Sequence, residues 1–279
     1  MALIAAAIQM TSGIESAPNI DAVERLVALA VDKGARYVLT PEVTLNYAPD
    51  LETLRRVATE SAIRGGLAVF AALAQRYEIF LHIGSIATPL LSGRFANRSV
   101  LIGPDGRATA QYDKIHLFDA DIGGEKPYRE SHSYEAGEEA VLTRLPEFTL
   151  GMTVCYDVRF PSLYTRLATA GASLFAIPAA FTVPTGEAHW ATLIRARAIE
   201  TGAFVVAAAQ SGPHENGRRT WGHSMIVDPW GRVLAESGAD GEDVIVAALD
   251  PALVAAARRD VPNLANMRGF SVSVNQDLS

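Results

Sequence analysis

Cysteine is almost absent from this chain: Cys155 is the only one, so no disulfide can close within it. Blocks of positive charge are missing too. Asp and Glu number 31 against 24 Lys and Arg, a net charge of −7, and the basic residues are scattered. That balance argues against nucleic acid or anionic membrane as a partner. No apolar run approaches the roughly 20 residues a bilayer-spanning helix needs. The stretch 2–8 is apolar but short and lacks the basic flank of a signal peptide, so it reads as the buried first strand of a cytoplasmic protein. No Pro/Ser-rich linker interrupts residues 1–279, which points to a single domain. The six histidines show no pair at metal-site spacing, and no glycine-rich turn leads into Gly-Lys-Ser or Gly-Lys-Thr. Neither a metal nor an organic cofactor is called for.

What is present alternates strand and helix. Residues 3–10 read as a strand, and Asn19 as the cap of a helix carrying Val23, Leu26, Val27, Ala30 and Val31 at helical spacing, stopped by Gly34. Residues 36–40 are a second strand, held extended at its end by Pro41. Strand, helix, strand is a βαβ unit with a parallel pair. Residues 51–76 read as helix broken at Gly65-Gly66, 79–87 as strand, and 99–107 as a hairpin turning at Pro104-Asp105-Gly106. Strands near 140–145, 148–155, 172–178 and 203–209 follow, with helices over 161–170 and 187–201. A second hairpin, 225–234, repeats the layout of the first before a strand at 243–249 and a helix at 251–259. The repetition predicts two pseudo-symmetric α/β halves packed sheet on sheet, with helices outside.

Three side chains stand at or just past strand ends. Glu42 follows the second strand, where open α/β folds place their sites. Lys114 follows the return arm of the first hairpin. Cys155 ends an apolar run and precedes Pro161, which opens a helix. Such a turn leaves backbone N–H groups unpaired near a positive helix terminus, a setting that favours a thiolate. A thiol with an ordinary pKa of about 8.5 needs a base, and a carboxylate can take its proton. An ammonium and the Tyr156 N–H can then hold the oxyanion of a tetrahedral intermediate. Each residue alone has a plainer reading. A lone cysteine is more often a small buried hydrophobe, and Glu or Lys at such places is more often a cap or surface charge. His116 beside Lys114 reads as structural.

With Thr40-Pro41-Glu42, Asp113-Lys114-Ile115-His116-Leu117-Phe118-Asp119 and Cys155-Tyr156-Asp157-Val158-Arg159-Phe160-Pro161 in that order, the chain resembles the nitrilase superfamily, carbon–nitrogen hydrolases with a Glu-Lys-Cys triad. The likeness covers nearly the whole chain. It implies an α/β fold of four layers, an α-β-β-α sandwich. It also implies homodimers or larger homo-oligomers formed through helices beside the site, with the tail from about residue 261 reaching the contact. By the same resemblance Glu42 is the general base and Lys114 the oxyanion-stabilising, proton-donating residue. Cys155 is then the nucleophile, and Glu130 a second glutamate that orients and balances the lysine. Cys155-Tyr156-Asp157 differs from the Cys-Trp-Glu of nitrile-hydrolysing members and is similar to the small-acid amidases.

The stretches 178–182, 188–190, 195–201, 207–210 and 222–231 are most similar to deaminated-glutathione amidases, although Ala179 stands where serine is common. The implied reaction splits deaminated glutathione into 2-oxoglutarate and cysteinylglycine. The alternative is an omega-amidase acting on 2-oxoglutaramate or 2-oxosuccinamate. A non-catalytic small-molecule binding protein of the same fold is a third reading, separated by Glu42-dependent mass addition of an electrophile to Cys155. The substrate's carboxylate asks for a cation, and Arg129 and Arg159 are the candidates, with an Arg159–Asp157 ion pair as the plainer use of Arg159. Tyr47, Phe181 and Thr182 are candidate pocket walls. The loop 119–138 is long enough to suggest a function.

Overall fold

The computed structural model describes residues 1–63, 65–123 and 127–274. Part of the loop 119–138, residues 124–126, and the tail's last residues, 275–279, lie outside the described residues. The first half runs β1 (Leu3–Gln9), α1 (Ser16–Asp32), β2 (Tyr37–Leu39), α2 (Leu51–Ile63), α3 (Gly66–Tyr77), β3 (Phe80–Pro89), β4 (Phe95–Ile102) and β5 (Ala108–Asp113). Three short strands follow: β6 (Asp119–Ala120), β7 (Tyr128–Arg129) and β8 (Tyr134–Glu135). The second half runs β9 (Val141–Arg144), β10 (Thr149–Met152), α4 (Pro161–Thr169), β11 (Leu174–Ala176), α5 (Val183–Thr201) and β12 (Phe204–Ala207). It closes with the β13 (Ser211–Pro213) and β14 (Arg219–Trp221) hairpin, β15 (Met225–Val227), β16 (Val233–Glu236), β17 (Asp243–Leu249) and α6 (Pro251–Asp260).

Apart from the two-stranded pairs β6-β7 and β13-β14, the described strands form two large sheets of matching topology. One is ordered β17-β1-β2-β3-β4-β5, with β8 on β4; the other is ordered β16-β15-β12-β11-β10-β9. In each, three parallel strands (β1-β2-β3, β10-β11-β12) are flanked by an antiparallel hairpin on one side and a single antiparallel strand on the other. The expected pseudo-symmetry is therefore real. Strand alternation builds the layers. Ala5, Ala7, Tyr37, Leu39 and Leu101 point into a core shared with the second sheet, whereas Ala6, Ile8, Val38, Val100 and Ile102 pack under α1 and α3. The result is the four-layer sandwich.

Two helix starts differ from the sequence reading. Helix α1 begins at Ser16, because the Asn19 amide is used elsewhere: it accepts from the Gly13 N–H at 2.8 Å and donates to the Leu45 carbonyl at 2.7 Å. Helix α5 begins at Val183 rather than 187, since Thr182 caps it through its hydroxyl and Pro184 suits the first turn.

One glycine sets how closely the halves approach. A Cβ on Gly84 in β3 would lie 2.1 Å from the Thr40 carbonyl oxygen, 2.2 Å from that of Pro41 and 2.5 Å from the Pro178 side chain. Only a bare backbone lets the loop after β2 and the loop after β11 meet there. Those two loops supply Glu42 and the Ala180 N–H that donates to its carboxylate. No described helix is long and apolar enough to cross a membrane.

Candidate active site

Glu42 sits in a tight turn just past β2. The Thr44 hydroxyl donates to the Pro41 carbonyl at 2.6 Å, and the Val43 N–H donates to the Ser85 hydroxyl at 2.8 Å. Val43 takes φ +52°, a strained value for a β-branched residue, and so directs the preceding side chain inward. The Gln210 amide donates to the Glu42 carbonyl at 2.8 Å, fastening the turn to the second half. The Glu42 carboxylate is buried. Its Oε1 accepts from Lys114 Nζ at 2.8 Å and from Asn97 Nδ2 at 2.9 Å, and its Oε2 accepts from the Ala180 N–H at 2.9 Å.

Lys114 follows β5 and is 1% exposed. Its N–H donates to the Asn97 carbonyl at 3.0 Å, and its carbonyl accepts from Gly137 at 2.8 Å. Besides Glu42, its ammonium donates to Glu130 at 2.8 and 3.0 Å, while the Phe118 N–H donates to the same carboxylate at 2.6 Å. Burial opposes the lysine's charge, but the carboxylates of Glu130 and Glu42 outweigh it and hold Lys114 well above the ordinary ammonium range.

Cys155 takes φ +49° at the head of a 3₁₀ turn, Cys155–Arg159, directly before α4. Its N–H donates to the Pro178 carbonyl at 2.8 Å. Asp157 braces the turn from within. Fully buried, it accepts from the Tyr112 hydroxyl at 2.7 Å, from the Val154 N–H at 2.8 Å and from the His116 N–H at 3.1 Å. His116 Nδ1 lies 2.7 Å from the same carboxylate, and its ring stacks on Phe160 at 3.6 Å. The expected strand–turn–helix is present, but the electrostatics at the sulfur run against the expectation that the turn favours a thiolate. Burial first, and then the Glu42 charge, push the Cys155 thiol well above its ordinary pKa, against the pull of Lys114.

A cavity of about 520 Å³ opens beside these groups, its wall including Glu42, Tyr47, Lys114, Tyr128, Cys155 and Arg218. Tyr47 packs edge-on against His214 at 4.8 Å. Its phenol is pushed up by burial, then by the nearby charges of Glu42, Tyr128 and Cys155, with Arg218 pulling the other way. Arg129 also lines the cavity, with its guanidinium 2.7 Å from Asp121. On the other side of Cys155 a narrow cleft of about 20 Å³ is bounded by Tyr156, Arg159, Phe181 and Thr182. Arg159 does not pair with Asp157. It lies over the Phe181 ring at 5.3 Å and 3.1 Å from His189 Nδ1. Phe181 packs on Trp190 at 4.8 Å. Among the described residues, no group of His, Cys, Asp and Glu side chains is placed to hold a metal ion.

Sequence reasoning missed Asn97. Buried in β4, it donates from Nδ2 to Glu42 and Glu130, both at 2.9 Å, while its Oδ1 is buried without a partner among the described residues. The available signal was a polar amide in the strand Phe95–Ile102, since a buried amide has to be paired, but Arg98 and Ser99 beside it are polar too. One amide thus bridges two carboxylates that would otherwise repel. Asn97→Leu removes that bridge and the orphaned acceptor together. We expect kcat to fall by roughly 10- to 100-fold and the unfolding midpoint to drop as well, since Glu42 and Glu130 each lose a donor; an unchanged kcat would make Asn97 dispensable.

The carbon–nitrogen hydrolase family profile matches residues 4–259. The chain belongs to the carbon–nitrogen hydrolase family. It is therefore a hydrolase acting on carbon–nitrogen bonds other than peptide bonds. This carbon–nitrogen hydrolase is 38% identical over 270 residues to the deaminated glutathione amidase of Synechocystis sp., covering 94% of this chain and 96% of that protein. Its fold superposes on the crystal structure of the C. elegans NitFhit protein with a TM-score of 0.90 at 35% identity, over 96% of this chain and 65% of that one. It also matches a glutamate-to-glutamine mutant of the amidase from Nesterenkonia sp. AN1 with a TM-score of 0.78 at 25% identity, over 93% and 98% of the two chains. That mutant shows Michael addition of acrylamide at its active site cysteine.

Proposed function

We propose that this carbon–nitrogen hydrolase cleaves deaminated glutathione to 2-oxoglutarate and cysteinylglycine through a thioester on Cys155. The chemistry rests on one observation: Glu42 holds Lys114 at 2.8 Å, and both line one cavity together with Cys155. The substrate is supported by the relative named for that activity, alike over nearly its full length.

In the proposed cycle Glu42 takes the Cys155 proton as sulfur attacks the amide carbon. Lys114 and the Tyr156 N–H hold the oxyanion. When the carbonyl re-forms, the C–N bond breaks and the amine leaves with the proton Glu42 had taken. Water then attacks the thioester and yields its proton to Glu42, and collapse expels the sulfur, which recovers that proton. Glu130 keeps Lys114 charged and aimed. Arg159, over Phe181 beside the nucleophile, is the candidate for the 2-oxo acid carboxylate.

A cytoplasmic homodimer fits the same reading. From 261 to 274 the chain forms neither helix nor strand, and it leaves Phe270, Val272 and Val274 exposed, as a contact between copies would require. The test is steady-state turnover of deaminated glutathione and 2-oxoglutaramate side by side. A higher kcat/KM on the first is the expected result. Preference for 2-oxoglutaramate would make the protein an omega-amidase, and turnover of neither would remove this substrate class.

A further inference from the structure

We infer that the Tyr134 hydroxyl binds the substrate, donating a hydrogen bond to the neutral peptide carbonyl one residue beyond the scissile nitrogen. The inference rests on the proposed amidase reading and assigns one wall of the same site to the leaving dipeptide.

The fully buried phenols of the described residues are paired. Tyr37 meets His82 Nδ1 at 2.7 Å, Tyr112 donates to Asp157 at 2.7 Å, and Tyr164 lies 2.8 Å from the Thr153 hydroxyl. Tyr134 and Tyr47 are the contrast. Both are half-buried in the wall of the large cavity, and neither hydroxyl has a hydrogen-bond partner among the described residues. A tyrosine with a packed ring and an unengaged hydroxyl in a cavity wall presents that hydroxyl to whatever fills the cavity. Tyr47 stands on the nucleophile's side, where burial, then Glu42, Tyr128 and Cys155, push its phenol up. Tyr134 stands on the Glu130 side. Burial first, and then the charges of Glu130 and Glu42, push its phenol up against the pull of Lys114, so the O–H keeps its proton.

Tyr134 is also held in place. It opens β8, which pairs with β4 so that Tyr134 lies opposite Phe95 and Glu135 opposite Ala96. Its ring meets Phe95 edge-on at 6.5 Å and packs on Leu54, Val57 and Ala58 of α2. The Phe95 N–H donates to the Ser133 carbonyl at 3.0 Å, and the Ser133 N–H to the Glu130 carbonyl at 3.0 Å. Glu135 pairs with Arg94 at 2.9 Å. The phenol is thereby fixed between the turn that carries Glu130 and the strand that carries Asn97, which shares a face of β4 with Phe95. Two carboxylates against one ammonium make this end of the cavity a poor place for a substrate carboxylate. A neutral carbonyl oxygen suits an O–H there. With the 2-oxo acid end directed to Arg159 in the cleft of about 20 Å³, the leaving dipeptide takes the cavity of about 520 Å³. Its first carbonyl lies about 3.5 Å along the chain from the scissile nitrogen, close enough to reach the wall beside Glu42 and Lys114.

The experiment compares three amides on the full-length enzyme. The first is the 2-oxoglutaryl amide of cysteinylglycine. The second has its cysteinyl–glycine peptide bond replaced by a trans alkene, and the third carries glutaryl, with no 2-oxo group, in place of 2-oxoglutaryl. A hydrogen bond from Tyr134 predicts that Tyr134→Phe lowers kcat/KM by roughly 3- to 10-fold on the first and third, mainly through KM, and leaves the second unchanged. Phenylalanine keeps the ring against Phe95 and Leu54. Because the readout is a ratio between substrates within each protein, loss of folded enzyme does not imitate it. An equal loss on all three compounds would make Tyr134 structural and overturn the inference, leaving the amidase reading standing. So would no loss on any of them. A loss on the first and second that is missing from the third would also overturn it, by assigning the hydroxyl to the 2-oxo group. No turnover of the first compound by the wild type would remove the proposed substrate, and this inference with it.

Discussion

Cys155→Ala is expected to lose turnover by about four orders of magnitude or more while remaining folded. Among the described residues lining the cavity Cys155 carries the one thiol, and no second cysteine exists in the chain to substitute for it. Alanine retains the Cβ, so the backbone at φ +49° takes on no new strain, and the Cys155 N–H keeps its bond to Pro178. Matching unfolding midpoints for variant and wild type, beside a turnover ratio of that size, would check it. Substantial residual activity would remove Cys155 as nucleophile.

The second large effect has two signs. Glu42→Gln removes the proposed base, and turnover should fall by roughly 10²- to 10⁴-fold. Glutamine is also a poor geometric substitute: all three partners, Lys114, Asn97 and the Ala180 N–H, are donors, so its NH₂ must face one of them. Alkylation of the cysteine should go the other way. Burial and then the Glu42 charge hold the thiol up, and Lys114 pulls it down. Removing the carboxylate leaves the lysine's pull unopposed by that charge, so the pH at which Cys155 reacts with acrylamide should move down. This reverses the sequence-based expectation that labelling would require Glu42. A rate of mass addition against pH, measured for both proteins, checks the sign; a shift upward would contradict it.

Much of this molecule was legible without coordinates because its signals are local. Pro41 ends β2 and delivers Glu42, the Pro104-Asp105-Gly106 turn makes the hairpin that delivers Lys114, and Pro161 opens α4 just past Cys155. Alternation along β1 and β2 set which side chains meet the second sheet. What stayed hidden depends on contacts between distant stretches. Asn97 looks like any strand polar residue until Glu42 and Glu130, 55 and 33 residues away, converge on its amide. The direction of the Cys155 shift could not be read from a motif, since it follows from burial in competition with two charges of opposite sign.

The central claim is a thioester on Cys155. The most direct test is to mix enzyme with deaminated glutathione, quench in acid during the first turnover, and map the adduct by peptide mass spectrometry. The account predicts a 2-oxoglutaryl group on the peptide carrying Cys155, appearing before 2-oxoglutarate and disappearing as it forms. Product accumulating with Cys155 unmodified throughout, or the acyl group found on another side chain, would contradict it.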